Sequence, residues 1–213
     1  MMNTIKLENI AYRLRVCVPL FFRQIEKIAR GVVSIRFGRH IKTAEAISTI
    51  HGIVQGWPAV IRPLTESDLS GLKAFLDTMP DFHLKFFHPH DFDEQSLIKV
   101  LRSRAFLNYG LFINDELTAY GLLKVSPTGS GFMGQLVSPD WCGRGLGRYL
   151  VAYLYWQASI AKLRPRATIS CDNKVSLHAH ASVADYRIVA ELPNNYLMIE
   201  FPGVCLESPA LYL

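Results

Sequence analysis

Leu136-Val137-Ser138-Pro139-Asp140-Trp141-Cys142-Gly143-Arg144-Gly145-Leu146-Gly147-Arg148-Tyr149-Leu150 is the stretch on which the reading of this 213-residue chain turns. It has the form of a buried strand's end (Phe132 to Val137), a Pro-Asp turn, a loop with glycine at alternate positions, and an apolar helix from near Gly145. Such a loop is an anion cradle. Glycines at 143, 145 and 147 let the backbone turn sharply and present consecutive N–H groups. The helix that follows leaves its first donors unpaired and offers a positive dipole end. Arg144 and Arg148 add formal charge, and a diphosphate suits the whole.

Spacing narrows the choice of diphosphate. Neither the nucleotide-triphosphate loop, Gly-x-x-x-x-Gly-Lys-Ser/Thr, nor the dinucleotide fingerprint, Gly-x-Gly-x-x-Gly, fits residues 143–148. What fits is Gln/Arg-x-x-Gly-x-Gly/Ala after a strand ending in Val-x-Pro-Asp/Glu-aromatic, carried here by Val137-Ser138-Pro139-Asp140-Trp141 and Gly143-Arg144-Gly145-Leu146-Gly147. This resembles the pyrophosphate loop of the GNAT superfamily of acetyl-CoA-dependent N-acetyltransferases. The first position of the motif departs, with Cys142 in place of Gln or Arg.

A second segment carries the same resemblance. Val60-Ile61-Arg62-Pro63-Leu64-Thr65, followed by Asp68-Leu69, is similar to the opening of a GNAT domain, and Thr65 with Asp68 three residues on reads as a helix start. Between the two segments the chain reads as a helix over Ser67 to Thr78, an aromatic and histidine-rich loop over Asp81 to Asp93, a helix from Glu94 to Arg104, and a hairpin of Tyr109–Ile113 with Leu117–Lys124 about Asn114-Asp115-Glu116. Beyond the glycine loop come a strand at Ala167–Cys171, parallel to its predecessor across a helix, then a helix over Lys174 to Ala184 and a second hairpin, Tyr186–Leu192 with Tyr196–Phe201.

The resemblance implies an α/β fold of the α+β kind over residues 58–202. Its central sheet is mixed and mostly antiparallel, with splayed parallel middle strands and flanking helices. It also implies acetyl-CoA as acetyl donor, no metal, and a primary amine of a small molecule as acceptor. Leu136, Val137, Cys142, Gly143, Arg144, Gly145, Leu146, Gly147, Arg148 and Asn173 are then the cofactor residues, with a backbone N–H near Leu136 or Val137 polarising the thioester. His180 stands seven residues after Asn173, where family members place a Tyr, so it is the residue expected to assist the departing thiolate. Phe87, His88, His90 and Asp91 are expected to line the acceptor pocket, and their mix of aromatic and polar groups suits an amino-sugar nucleotide; a surface loop anchored by Phe86 and Phe87 is the alternative. His88-x-His90 with Asp91 and Asp93 is a poor metal cage, because its ligands come from one extended loop. Among bases, His88, His90, Asp91 and Glu200 are within reach. The competing function is an acyl-CoA-binding sensor or docking module without turnover.

Charge divides the chain. Residues 1–60 hold nine Lys/Arg against three Glu, while the remainder is close to neutral. Ile10, Leu14, Cys17, Phe21, Ile25 and Ile28 recur at helical steps, interrupted at Pro19. Val32–Phe37 reads as a strand and Thr43–Gln55 as a helix stopped by Gly56-Trp57-Pro58. Residues 1–57 are therefore expected to be a basic, mainly helical extension, separable from the domain that begins at 58, with 203–213 a tail. The extension is expected to pack against the main domain with its basic face solvated, the alternative being a partner-binding element or one weakly associated with a membrane surface; a homodimer is the assembly considered. Nucleic acid is not expected, because no aromatic residues interleave the basic ones along a groove. No apolar run reaches ~18 residues, no secretory cleavage pattern is seen, and the four cysteines lack a framework. The expected location is the cytoplasm.

Overall fold

The computed structural model describes the backbone of residues 19–213 and the side chains from residue 29 onward. The amphipathic pattern expected over Ile5–Ile28 rests on side chains that lie outside the described residues. The elements run α1 (Pro19–Ala46), β1 (Ile50–Val54), β2 (Trp57–Pro63), a 3-10 turn (Glu66–Asp68), α2 (Leu69–Asp77), α3 (Asp81–Leu84), α4 (Glu94–Leu101), β3 (Phe106–Ile113), β4 (Glu116–Val125), β5 (Ser130–Val137), a 3-10 turn (Pro139–Trp141), α5 (Leu146–Ile160), β6 (Arg164–Ser170), α6 (Lys174–Ala181), β7 (Arg187–Leu192) and β8 (Tyr196–Glu200).

One eight-stranded sheet has the order β1-β2-β3-β4-β5-β6-β8-β7. Every neighbouring pair is antiparallel except β5 with β6. Alternation along the strands sends one set of side chains to each face. On one face α1 and α5 cover Tyr109, Leu111, Ala119, Leu123, Ala167 and Ile169. On the other, α2 and α4 close a smaller core with Leu64, Tyr120, Leu122 and Leu136. The hairpin turns are of the tight kind the sequence suggests: Asn114 and Asp115 both take positive φ, as do Asn194 and Asn195. Asp68 accepts from the Thr65 N–H at 2.8 Å, which secures the helix start after β2.

The N-terminal region differs from expectation. Val32–Phe37 is not a strand but part of α1, because Val33, Phe37, Ile41 and Ala44 fall on one helical stripe and bury it in the main core. Ile35, on the opposite side, is 90% exposed. The helix expected over Thr43–Gln55 stops at Ala46. Residues 50–54 form β1, paired with β2 from Ile50↔Ile61 to Val54↔Trp57 through a Gln55-Gly56 turn with φ of 51° and 82°. The boundary expected near Trp57 thus falls inside a hairpin, and residues 29–57 share the core of the domain.

The tail expected at 203–213 is also pinned. Ile53 N–H donates to Leu211 O at 2.8 Å, and Gln55 N–H donates to Leu213 O at 2.7 Å. A Cβ on Gly52 would sit 1.9 Å from Leu211 O, so this close approach requires glycine there.

Candidate functional site

The parallel pair that interrupts the sheet is short. β5 and β6 pair only at Ser130↔Arg164, Gly131↔Pro165 and Phe132↔Arg166, and then separate. A wedge opens toward the C-terminal ends of both strands. Which backbone groups line it follows from register. Ser138 N–H donates to Thr118 O at 2.8 Å, and β4 pairs with β5 without a bulge from Ala119↔Val137 to Val125↔Gly131. Hydrogen-bonded pairs therefore alternate so that even-numbered residues of β5 spend their N–H and C=O on β4, while Gln135 and Val137 turn theirs into the wedge. Leu136 does not offer the backbone N–H expected of it. Its peptide groups face Tyr120 across the β4 ladder, and its side chain is buried in the smaller core.

At the mouth of the wedge lies the glycine loop. Gly143 and Gly145 take φ of 75° and 85°, a region that L side chains rarely adopt, and Gly145 caps α5 without a side chain. The first turn of α5 has no acidic residue, and its leading N–H groups are free of a side-chain cap. Open space surrounds the positions a Cβ would take on Gly143 and Gly147, whereas a Cβ on Gly145 would point at Leu213. Arg144 lies over the Trp141 ring at 4.8 Å. Arg144 and Arg148 are exposed, and among the described residues neither forms an ion pair. Cys142 is exposed at the head of the loop, and partial desolvation pushes its thiol up rather than toward thiolate.

Asn173 and His180 lie on α6 as the spacing requires, with local duties. The Asn173 side chain accepts from Ser176 N–H at 3.0 Å and caps the helix. His180 is 1% exposed and stacks on Phe201. Its Nδ1–H donates to Ser176 O at 2.8 Å, which leaves the lone pair on Nε2; that atom is buried and has no partner. Burial lowers its pKa, favouring the neutral ring. A neutral His180 therefore has no proton at its remaining nitrogen to give a thiolate, and that nitrogen is sealed from the open wedge.

The acceptor-loop residues separate into two sets. Phe87 is buried against Tyr120, in the space Gly134 leaves open. The His90 Nδ1–H donates to Asp91 O at 2.9 Å, which leaves Nε2 as an acceptor; it lies 3.1 Å from the Tyr120 hydroxyl, whose single proton it shares with Asn108 Oδ1 at 2.7 Å. These two anchor the loop to the sheet. His88 and Asp91 are exposed, with His88 stacked on Phe92. Glu200 is no base: Arg166 and Arg187 hold its two oxygens at 2.7 and 2.5 Å, and these partners keep its carboxyl below the usual range against the opposing effect of burial. His83 is the residue the sequence reading passed over. From α3 its Nε2–H donates to Val137 O at 2.8 Å, at the lip of the wedge. Only its place in a histidine-rich loop hinted at this. Among the described residues no three His, Cys, Asp or Glu converge as a metal site.

No family model matches the sequence, and no curated protein matches it either. Solved structures do. The GNAT domain of S. lividans PAT has a TM-score of 0.64 at 16% identity, over 73% of this chain and 97% of that domain. PaiA N-acetyltransferase from Thermoplasma acidophilum, in complex with coenzyme A, gives 0.56 at 14% identity over 67% and 97%. Spermidine N-acetyltransferase from Vibrio cholerae, in complex with CoA and spermine, gives 0.53 at 14% over 67% and 92%. The chain has the GNAT fold.

Proposed function

We propose that this protein binds acetyl-CoA and transfers its acetyl group to a primary amine of a small molecule. The observation that carries the reading is the wedge between β5 and β6 opening directly beneath the uncapped start of α5 and its glycine loop. A diphosphate suits the N–H groups of the loop and first turn, with Arg144 and Arg148 as counter-charges. An extended amide arm suits the Gln135 and Val137 edge, which can treat it as an added strand. When bound, acetyl-CoA supplies an activated thioester. The chain's contribution is orientation and the cleft-facing N–H donors, which stabilise charge developing on a carbonyl oxygen.

His180 enters this reading as a packing residue against Phe201 rather than as an acid. The wall proposed for an amino-sugar nucleotide also shrinks, because Phe87 and His90 point into the core; His88 and Asp91 remain available to an acceptor. The neighbour named for spermidine and crystallised with CoA and spermine keeps polyamines in the panel. A second reading, acyl-CoA sensing without turnover, is favoured by the neutral, sealed His180 at the position where the resembling family places Tyr. Release of free thiol from acetyl-CoA in the presence of polyamines, aminoglycosides, amino-sugar nucleotides and peptide amines separates the two. Amine-dependent release supports transfer; binding without release under every amine supports sensing.

A further inference from the structure

The Val137 carbonyl turns into the wedge, yet a side chain already holds it. A carbonyl oxygen only accepts, so the His83 Nε2 bonded to it at 2.8 Å carries the ring proton, and Nδ1 carries the lone pair. Cys142 Sγ lies 3.7 Å from the same nitrogen. The imidazole thus bridges the end of β5 and the head of the glycine loop. His90 and His180 have different commitments: His90 to Asp91 and Tyr120, and His180 to Ser176. His83 itself is half-buried on a single helical turn, its ring edge-on to the exposed Phe82.

An extended chain that lies along β5 as an added strand brings its own N–H groups to the cleft-facing carbonyls. At Val137 that is the hydrogen bond His83 now makes. We propose that His83 is a binding residue of the cofactor site: its Nε2–H stands in for an amide N–H of the arm, and the ring leaves Val137 O when the arm arrives. This rests on the acetyl-CoA reading. The exchange replaces one N–H···O bond with another, so the resting wedge keeps its end carbonyl satisfied and the edge does not pair with a stray strand. The displaced ring then borders the acceptor side of the sheet, where α3 sits.

The test uses the full chain labelled with 15N-histidine and titrated with coenzyme A. Long-range imidazole spectra, assigned by comparison with His83→Ala, should show the Nε2–H tautomer of His83 in the free protein and a changed signature at saturation. Calorimetry should show His83→Ala binding coenzyme A about two- to tenfold more tightly than the parent, since one hydrogen bond no longer has to break first. His88→Ala, in the same loop but exposed, should bind as the parent does. Coenzyme A binding with the His83 signals unmoved, or with His83→Ala unchanged or weaker, overturns the role of His83 and leaves the cofactor reading standing. Absence of binding by the parent and both variants overturns the cofactor reading and the His83 role with it.

Discussion

Gly147 is the residue that probes the anion cradle with least disturbance. It stands in the first turn of α5 with ordinary helical backbone and open space where a Cβ would go. Gly147→Glu should weaken acetyl-CoA binding by roughly a hundredfold, about 2.7 kcal/mol, by placing a carboxylate against the diphosphate. Calorimetry reads the loss, and an unchanged circular dichroism spectrum shows that the fold survives. Gly145 is a poorer probe, because φ of 85° strains any side chain and the Cβ points toward Leu213. Two histidines, the half-buried His90 and the buried His180, set a pH dependence at the same scale. Burial lowers the pKa of both His90 and His180, so the unfolded chain binds protons at a higher pH than the folded one. The stability they contribute is complete above about pH 6.5 and is lost as pH falls toward the folded values. Urea titrations between about pH 7 and pH 5 should show stability falling with acid by up to ~1.4 kcal/mol per pH unit for each histidine. His180→Gln should flatten that slope, and an equal slope in the variant would mean His180 does not titrate there.

At the scale of elements, the site is made where two parallel strands fail to stay together. The fork lies at Phe132↔Arg166, and on the next strand Glu200 binds both Arg166 and Arg187. Glu200→Gln would leave two arginines without their shared carboxylate, so a loss of about 3–5 kcal/mol in unfolding free energy is expected, read by denaturant titration. A loss under about 1 kcal/mol would mean the pair is not buried in solution. The glycine loop, the helix after it and both Asn-centred hairpins were legible in the sequence because their signals are local: left-handed turn residues, a cap and a spacing. β1 was not legible. Ile50-His51-Gly52-Ile53-Val54 carries no alternation strong enough to outweigh the helical run before it, and its strand state depends on β2 and on Leu211 and Leu213, more than 150 residues away. The duties of His83, Phe87 and His90 were hidden for a related reason: a loop's composition does not say which of its aromatic rings turn inward, and that is decided by the space at Gly134 and the hydroxyl of Tyr120.

For the molecule as a whole, residues 29–57 are part of the fold's foundation. A chain beginning at residue 58 loses β1 and exposes the surface that Val33, Phe37, Ile41 and Ala44 cover; it should show no cooperative unfolding transition and should aggregate. A soluble, cooperatively folding 58–213 fragment would show that α1 and β1 are accessory. The apolar stripe of α1 is buried in the core, and among the described residues no helix is long and apolar enough to cross a membrane. In the proposed function one ligand spans the wedge and the loop, its arm along β5 and its diphosphate at the start of α5. Amide hydrogen exchange of the full chain with and without acetyl-CoA tests it at residue resolution. New protection is expected at Gln135, Val137 and residues 143–148, with Leu136 unchanged because its N–H already pairs with β4; protection confined to other elements, or none at saturating acetyl-CoA, would contradict this binding mode.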